Sequence, residues 1–141
     1  MTRQEIVELL TRRNRAWENR DAAAMAATHA VDGVAVSPFG GVQEGREEIE
    51  RVYRLWMAAF PDARFTHEDP VIEGDRAVQI ATITGTHSGD FFGLPATGRH
   101  MEVQAALLLK FADGLVKEER RIYDFTGLLV QIGVLKAKPG A

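Results

Sequence analysis

Apolar positions in the first sixty residues recur at helical spacing. Thr2 and Glu5 have the spacing of a capping box, which marks the start of a helix. The apolar face that follows comprises Ile6, Leu9, Leu10, Arg13 and Trp17. This spacing predicts a helix whose stripe faces the core.

Two more helices and a short strand are predicted before residue 62. Asp21 precedes an alanine-rich run at 22–27, and Gly45 and Arg46 precede a longer helix that ends at Pro61. The apolar face of the longer helix comprises Ile49, Val52, Tyr53, Trp56 and Phe60. A strand at 34–37 leads into a turn containing Pro38 and two glycines.

From Arg64 onward the apolar period changes to two, which is typical of strands. The pattern predicts strands at 64–73, 76–87, 99–111 and 115–125. The irregular segment 88–98 has the composition of a pocket rim or lid, segment 127–133 should pack, and 136–141 should fray. Helices followed by a meander of strands predict one α+β domain over 1–141. Its helices should cover one face of a curved, mostly antiparallel sheet.

The Asp113-Gly114 turn sets the register of the last two strands, because a two-residue hairpin loop pairs Ala112 with Leu115. Extending this register gives one face with Val103, Ala105, Leu107 and Leu109 beside Glu118, Arg120, Ile122 and Asp124. The other face is more polar, with Gln104, Lys110, Lys117, Glu119, Arg121 and Tyr123 around Ala106 and Leu108. The first face is therefore predicted to lie under the helices. A one-residue bulge would reverse the assignment.

Asp124 is the main candidate for chemistry, because a carboxylate on an apolar face is costly unless it is paired or used. Arg120 lies two residues earlier and could hold Asp124 ionised or stabilise a developing oxyanion. If His87 pairs near Arg99, then Gln79, Ala81, Ile83, Gly85 and His87 share this face, and its small residues leave room for a ligand. The expected ligand contacts are His87, Gln79, Trp17, Tyr53, Trp56, Phe91, Val103 and Ile122.

Each candidate also has a structural explanation. Asp124 could cap the turn at 126–127, and Arg120 could pair with Glu118. His87 could anchor the backbone of 88–90. The aromatic residues at helical spacing could belong to the core.

Composition narrows the function. Hydrophobic residues make up 45% of the chain, and the net charge is −3. No basic stripe suggests a nucleic-acid partner. The absence of cysteine excludes thiolate chemistry, and the four histidines lack metal-ligand spacing. The charged first twenty residues argue against a signal peptide, and no apolar run is long enough to span a membrane. We expect a cytoplasmic protein with no metal.

Several motifs in order resemble the SnoaL-like polyketide cyclases, also called ester cyclases. They are Phe60-Pro61-Asp62, Glu73-Gly74-Asp75, 85–89, 92–99, Asp113-Gly114, Asp124 and 127–133, so the resemblance covers about 5–135. It implies the cone-shaped α+β fold of ketosteroid isomerase and a homodimer or homotetramer. It also implies intramolecular aldol condensation without metal or organic cofactor, with Asp124 as the acid/base at the end of the last strand.

The leading hypothesis is a cofactor-independent cyclase or isomerase acting on a hydrophobic, polyketide-like carbonyl compound. Asp124 would remove a proton next to the carbonyl and later return one. One alternative is a non-catalytic binding protein with the same fold. An epoxide hydrolase would need a second Asp on the inner face. A dimerisation module could use the outer face at Ala106, Leu108 and Tyr123.

Overall fold

The computed structural model describes residues 1–136, so of the tail expected to fray only Lys136 is described. The helices of this part are α1 (Arg3–Glu18), α2 (Ala22–Ala27), α3 (Arg46–Ala59) and α4 (Phe125–Gln131). The strands are β1 (His29–Ser37), β2 (Gly41–Glu44), β3 (Arg64–His67), β4 (Val71–Glu73), β5 (Arg76–Thr86), β6 (His100–Ala112) and β7 (Leu115–Tyr123). None of the helices in this range is long and apolar enough to cross a membrane.

The predicted starts of α1 and α2 are confirmed by their caps. The Thr2 side chain accepts a hydrogen bond from the Glu5 amide, and the Glu5 carboxylate accepts one from the Thr2 amide. Asp21 caps α2 through the amide of Ala24 at 3.0 Å. These bonds satisfy amides that a helix leaves unpaired at its first turn.

The strands form one mixed sheet in the order β2-β1-β7-β6-β5-β3, and β4 also pairs with β5. Only the β1–β7 pair is parallel among the described strands. The predicted α+β fold, with N-terminal helices over a mostly antiparallel sheet, is therefore confirmed.

Two strand predictions need correction. The segment predicted as one strand at 64–73 forms β3 and β4, which both pair with β5. Pro70 lies between them and lacks the amide hydrogen that a continuous ladder needs. The first strand begins at His29 rather than Val34, and β2 follows it as an unpredicted four-residue partner.

The helices cover one face of the sheet, which we call the inner face. Near the β6–β7 turn, the first half of α1 packs on the strands through Ile6, Leu9, Leu10, Leu109, Phe111 and Val116. A larger apolar cluster lies between α3 and the other end of the sheet, and includes Trp17, Tyr53, Trp56, Phe60, Phe91, Met101 and Val103. The predicted packing of the tail is confirmed by Leu128 and Ile132, which are fully buried.

A bulge in β7 changes which residues face the helices. Ala112 pairs with Leu115 as predicted, and Phe111 pairs with Val116. The register then shifts at Lys117, so that Lys110 pairs with Glu118. Every later side chain of β7 therefore lies on the face opposite to the predicted one.

Gly33 lies where β1 passes this bulge. A β-carbon at Gly33 would come within 3.3 Å of the Val116 carbonyl oxygen and 3.4 Å of the Lys117 carbonyl oxygen. The absence of a side chain thus permits the close approach of the two strands.

Candidate functional site

A narrow cavity lies between the helices and the inner face of the sheet, and we call it the aromatic cavity. Its lining residues are Trp17, Trp56, Phe65, His67, Ala81, Ile83, Ala105, Leu107, Arg121 and Tyr123. The volume of the cavity that is accessible to water is about 30 Å³. This is room for one or two water molecules, so a ring-sized ligand enters only if a wall side chain moves.

Three residues that line this cavity each have a buried polar atom with no hydrogen-bond partner. These atoms are Nε1 of Trp17, Nδ1 of His67 and the hydroxyl oxygen of Tyr123. The Tyr123 hydroxyl has the Phe39 backbone as a neighbour but completes no hydrogen bond with it. Unpaired buried polar atoms are rare and costly, which makes this cavity the strongest candidate for a ligand site.

A wider groove of about 440 Å³ crosses the outer face of the sheet and is open to solvent. It is lined by Val71, Glu73, Arg76, Ala77, Val78, Leu108, Leu109, Lys110, Glu118 and Arg120. None of the unpaired buried polar atoms of the described chain belongs to these residues. We therefore place the candidate site in the aromatic cavity.

Buried charged and polar residues form what we call the arginine–glutamate cluster: Arg13, His29, Tyr53, Glu119 and Arg121. Both Arg13 and Arg121 donate to the Glu119 carboxylate, and Arg121 does so at 3.1 Å through Nε and again through Nη2. Arg121 also donates to the Tyr53 hydroxyl at 2.7 Å, and its carbon Cζ lies 4.5 Å from the Tyr53 ring centre. Nε2 of His29 lies 3.0 Å from Nη1 of Arg13.

The electrostatics of this cluster follow from its burial and its cations. Burial raises the pKa of Glu119, but the Arg121 and Arg13 guanidiniums outweigh it and hold that pKa well below its usual range. Burial, opposed by Glu119 and reinforced by Arg13, lowers the pKa of His29 to about 3. The cluster therefore contains two guanidinium cations, one carboxylate and a neutral imidazole at neutral pH.

Besides Arg121, the titratable groups that line the aromatic cavity are His67 and Tyr123, and both are neutral at neutral pH. Burial, with the nearby Arg13 charge, lowers the pKa of His67 to about 4. Burial raises the pKa of the Tyr123 hydroxyl above its usual range, although Arg121 acts in the opposite direction. At neutral pH the cavity thus presents an uncharged imidazole, a phenolic hydroxyl and an indole N–H beside Arg121.

The bulge explains why the predicted catalytic pair does not lie in this cavity. Arg120 pairs with Leu108 and is exposed on the outer face, and Ile122 is 51% exposed there. The prediction that Glu118, Arg120, Ile122 and Asp124 share the inner face is therefore wrong. Their neighbours Glu119, Arg121 and Tyr123 take those places.

Asp124 is exposed and forms the N-cap of α4. Its carboxylate accepts a hydrogen bond from the Gly127 amide at 2.8 Å. This is the structural role that the sequence offered as the alternative to catalysis. A catalytic role for Asp124 stays a prediction, and in this arrangement its carboxylate would first have to leave the Gly127 amide.

The predicted aromatic contacts divide between the cavity and its surroundings. Trp17 and Trp56 line the cavity, while Tyr53 belongs to the arginine–glutamate cluster behind it. Phe91 is fully buried against neighbouring aromatic rings, and its ring centre lies 4.5 Å from that of Phe39. Val103 is buried in the same apolar cluster, as its predicted position on the inner face requires.

His87 and Gln79 lie on the inner face as predicted, but each forms hydrogen bonds with a neighbouring loop. Nδ1 of His87 lies 3.0 Å from the Thr97 hydroxyl, and the His87 backbone bonds Arg99 and Gly98. The Gln79 side chain donates to the Glu68 carbonyl oxygen at 2.8 Å. Neither residue lines the aromatic cavity.

The sequence pattern did not indicate chemical roles for Arg13, His67, Glu119, Arg121 and Tyr123. The role of Arg13 could have been inferred from the sequence, because a cation within an apolar helical stripe requires a buried anion as its partner. Nothing comparable in the sequence identifies Glu119, and not its neighbour Glu118, as that anion. Among the described residues, no group of three or more His, Asp or Glu side chains could hold a metal ion.

The fold of this chain recurs in known proteins. The family model described as SnoaL-like polyketide cyclase matches residues 7–132. No curated protein sequence is significantly similar to the chain.

Several solved structures are similar to this chain over most of its length. AclR of Streptomyces galilaeus, a proposed hydroxylase, is 27% identical with a TM-score of 0.83, over 98% of this chain and 87% of its own. A proposed SnoaL-like polyketide cyclase of Jannaschia sp. CCS1 is 25% identical with a TM-score of 0.84, over 94% of both chains. IdmH of Streptomyces antibioticus, a proposed polyketide cyclase, is 28% identical with a TM-score of 0.75, over 90% of this chain and 97% of its own. The same fold recurs in a Catenulispora acidiphila protein with a ketosteroid isomerase-like fold. The family model matches residues 7–132, and these structures share the helix-covered sheet of the chain. The chain therefore belongs to the SnoaL-like polyketide cyclase family.

Proposed function

We propose that this protein is a cofactor-independent enzyme that performs aldol cyclisation or isomerisation on a small hydrophobic carbonyl compound. Family membership supports the reaction class, and the aromatic cavity supports the site. The observation that carries the proposal is the set of unpaired polar atoms in Trp17, His67 and Tyr123, which line a cavity that is apolar apart from these residues and Arg121. A carbonyl ligand would supply the missing partner for the donors among them.

The donors of the cavity would bind the carbonyl oxygen and stabilise the enolate that forms from it. The Tyr123 hydroxyl stays protonated because its pKa is raised, so it can donate a hydrogen bond to that oxygen, as can the Trp17 indole. Arg121 supplies a nearby positive charge. Donors fixed in an apolar site contribute most where negative charge develops.

Two residues are candidates for the base that removes the proton. The family resemblance favours Asp124, which immediately follows Tyr123 on the chain. Position in the cavity favours His67. Its lowered pKa of about 4 leaves it unprotonated and able to accept a proton, but also makes it a weak base.

Exchange of α-protons in heavy water tests the proposal before the natural substrate is known. Acetophenone and 2-tetralone would be incubated with the protein, and loss of their α-proton signals followed by nuclear magnetic resonance. We expect exchange above the buffer rate, and a loss of about 10²–10⁴-fold when the base is replaced.

The variants Asp124→Asn and His67→Gln identify which residue is the base. Asp21→Asn is the matched control, because Asp21 also caps a helix but lies away from the cavity. If the protein gives no exchange above buffer with either ketone, the catalytic proposal fails. Exchange that survives both substitutions would remove both residues as bases.

A non-catalytic binding protein is the second candidate. One observation favours it: of the described residues that line the aromatic cavity, none is an Asp or Glu. In that case ketones would bind without exchange, and Asp124→Asn would leave their affinity unchanged. The same observation leaves an epoxide hydrolase without either of its two carboxylates in the cavity.

We also propose that the protein is a homodimer or homotetramer whose outer sheet face is the interface. Val36, Val78 and Ile122 are exposed on the sheet, and Ala106 and Leu108 lie among them. Tyr123, predicted to belong to this face, lies in the cavity instead. Sedimentation of Ile122→Glu beside the unchanged protein tests the interface, since a charge there should dissociate the oligomer.

A further inference from the structure

The arginine–glutamate cluster is not electrically balanced. Arg13 and Arg121 are both buried, and both bond the single carboxylate of Glu119. His29 is neutral and Tyr53 is protonated, so neither offsets the second guanidinium. A third cation is close, because Arg46 donates to the His29 carbonyl oxygen at 2.9 Å. One positive charge in the cluster therefore has no counter-charge within it.

A buried charge without a partner is expensive, so proteins pair such charges or present them to a ligand. Within residues 1–136, the only ion pairs of these two guanidiniums are those with Glu119. The hydrogen bonds of Arg121 in this part of the chain use Nε and Nη2, and none uses Nη1. Arg121 is also the member of the cluster that lines the aromatic cavity.

The other polar atoms of the cavity point to the same ligand chemistry. The Trp17 indole only donates, and the Tyr123 hydroxyl can donate because no partner occupies it. A site with a guanidinium, two further donors and no carboxylate is complementary to an oxygen anion. Its remaining lining is mostly apolar and suits a ring or chain attached to that anion, which enters once a wall side chain moves.

We propose that the aromatic cavity binds small apolar acids, with the ligand's carboxylate or ionised enol held by Arg121. This inference rests on the proposed function for the location of the site and adds the charge of its substrate. The excess positive charge of the cluster then stabilises a bound anion directly. An enolate formed during the reaction would experience the same stabilisation.

Binding of benzoate and of benzamide tests the proposal, because the two probes match in size and differ in charge. Both tryptophans of the chain line the cavity, so their fluorescence reports binding, and titration calorimetry gives an independent affinity. We expect benzoate to bind at least about tenfold more tightly, as charge-assisted hydrogen bonds are roughly twice as strong as neutral ones. Equal affinities, or a preference for benzamide, would overturn the proposal.

Two adjacent arginines supply a variant and its matched control. Arg121→Met should abolish the preference for benzoate, whereas Arg120→Met should retain it because Arg120 is exposed on the outer face. A preference that survives Arg121→Met would contradict the assignment. If Arg121→Met fails to fold, Ala105→Leu, which fills the cavity without altering charge, should remove binding of both probes.

Failure of this inference differs from failure of the proposed function. The binding measurement requires no turnover, so a protein without proton exchange could still prefer benzoate. Conversely, a protein that exchanges ketone protons and binds the two probes equally would keep the proposed function and refute the acidic substrate.

Discussion

Replacing Glu119 by Gln should destabilise the protein far more than the same change at Glu118. Glu119 is 1% exposed and is the only anion bonded to Arg13 and Arg121 in the cluster. Gln keeps the volume and one acceptor oxygen but removes the charge, leaving two buried cations without an anion. Breaking a buried ion pair in this way costs about 3–5 kcal/mol, a large part of the 5–15 kcal/mol that typically stabilises a domain.

Urea unfolding at neutral pH gives the measurement. We expect the free energy of unfolding of Glu119→Gln to fall by about 3 kcal/mol or more. Glu118→Gln, the control on the exposed outer face, should change it by no more than about 0.5 kcal/mol. A larger loss in Glu118→Gln than in Glu119→Gln would refute the bulge and restore the register expected from the hairpin turn.

Acid provides a second test of the same carboxylate. The folded-state pKa of Glu119 is depressed below the ordinary value of 4.5. Its contribution to stability is therefore fully present above pH 4.5 and is lost as the pH falls below that value. The difference in unfolding free energy between the unchanged protein and Glu119→Gln should accordingly shrink below pH 4.5. A constant difference down to strong acid would contradict the pairing.

Three further predictions concern other parts of the fold. Gly89→Ala should cost about 1–3 kcal/mol in urea unfolding, because a β-carbon there would overlap the Ala58 carbonyl oxygen; unchanged stability would show that the loop can shift. Asp124→Ala should lose about 1 kcal/mol through the missing helix cap while Asp124→Asn loses little, and equal losses would argue against capping. His29 and His67 have pKa values near 3 and 4, so both imidazoles should remain neutral at pH 5 by nuclear magnetic resonance. Because their unfolded-state pKa is 6.5, the stability that they contribute should be fully present above pH 6.5 and decline as the pH falls to about 4 for His67 and to about 3 for His29.

Local signals in the sequence predicted most of the fold correctly. The capping pair Thr2 and Glu5, the α1 stripe and the Asp113-Gly114 turn each depend on neighbours within a few residues. The predicted start and buried face of α1 and the predicted hairpin at Asp113-Gly114 are therefore confirmed. The division of 64–73 by Pro70 was also visible in principle, because proline is rare inside a strand.

The candidate site was harder to predict because the charged residues of β7 occur as adjacent pairs of the same type. Glu118-Glu119 is followed by Arg120-Arg121, so either register places one carboxylate and one guanidinium on the inner face. Ile122 is more apolar than Tyr123, which favoured the wrong register. The bulge at Lys117 arises where β7 also pairs with β1, and the Lys117 ammonium forms an ion pair with Asp32 at 2.6 Å. Such contacts between distant segments are not visible in the alternation of a single strand.

The pairing of Arg13 with Glu119 has a consequence for how the chain reaches its folded state. The two residues are separated by 106 positions, and β1 likewise finds its parallel partner only in β7. On the ribosome, α1 therefore emerges long before the strand that neutralises its buried cation and pairs with β1. Long-range pairings of this kind slow folding, and domains generally fold as units. The last hairpin thus completes the domain, and shortened chains that end before it should remain unfolded and prone to aggregate.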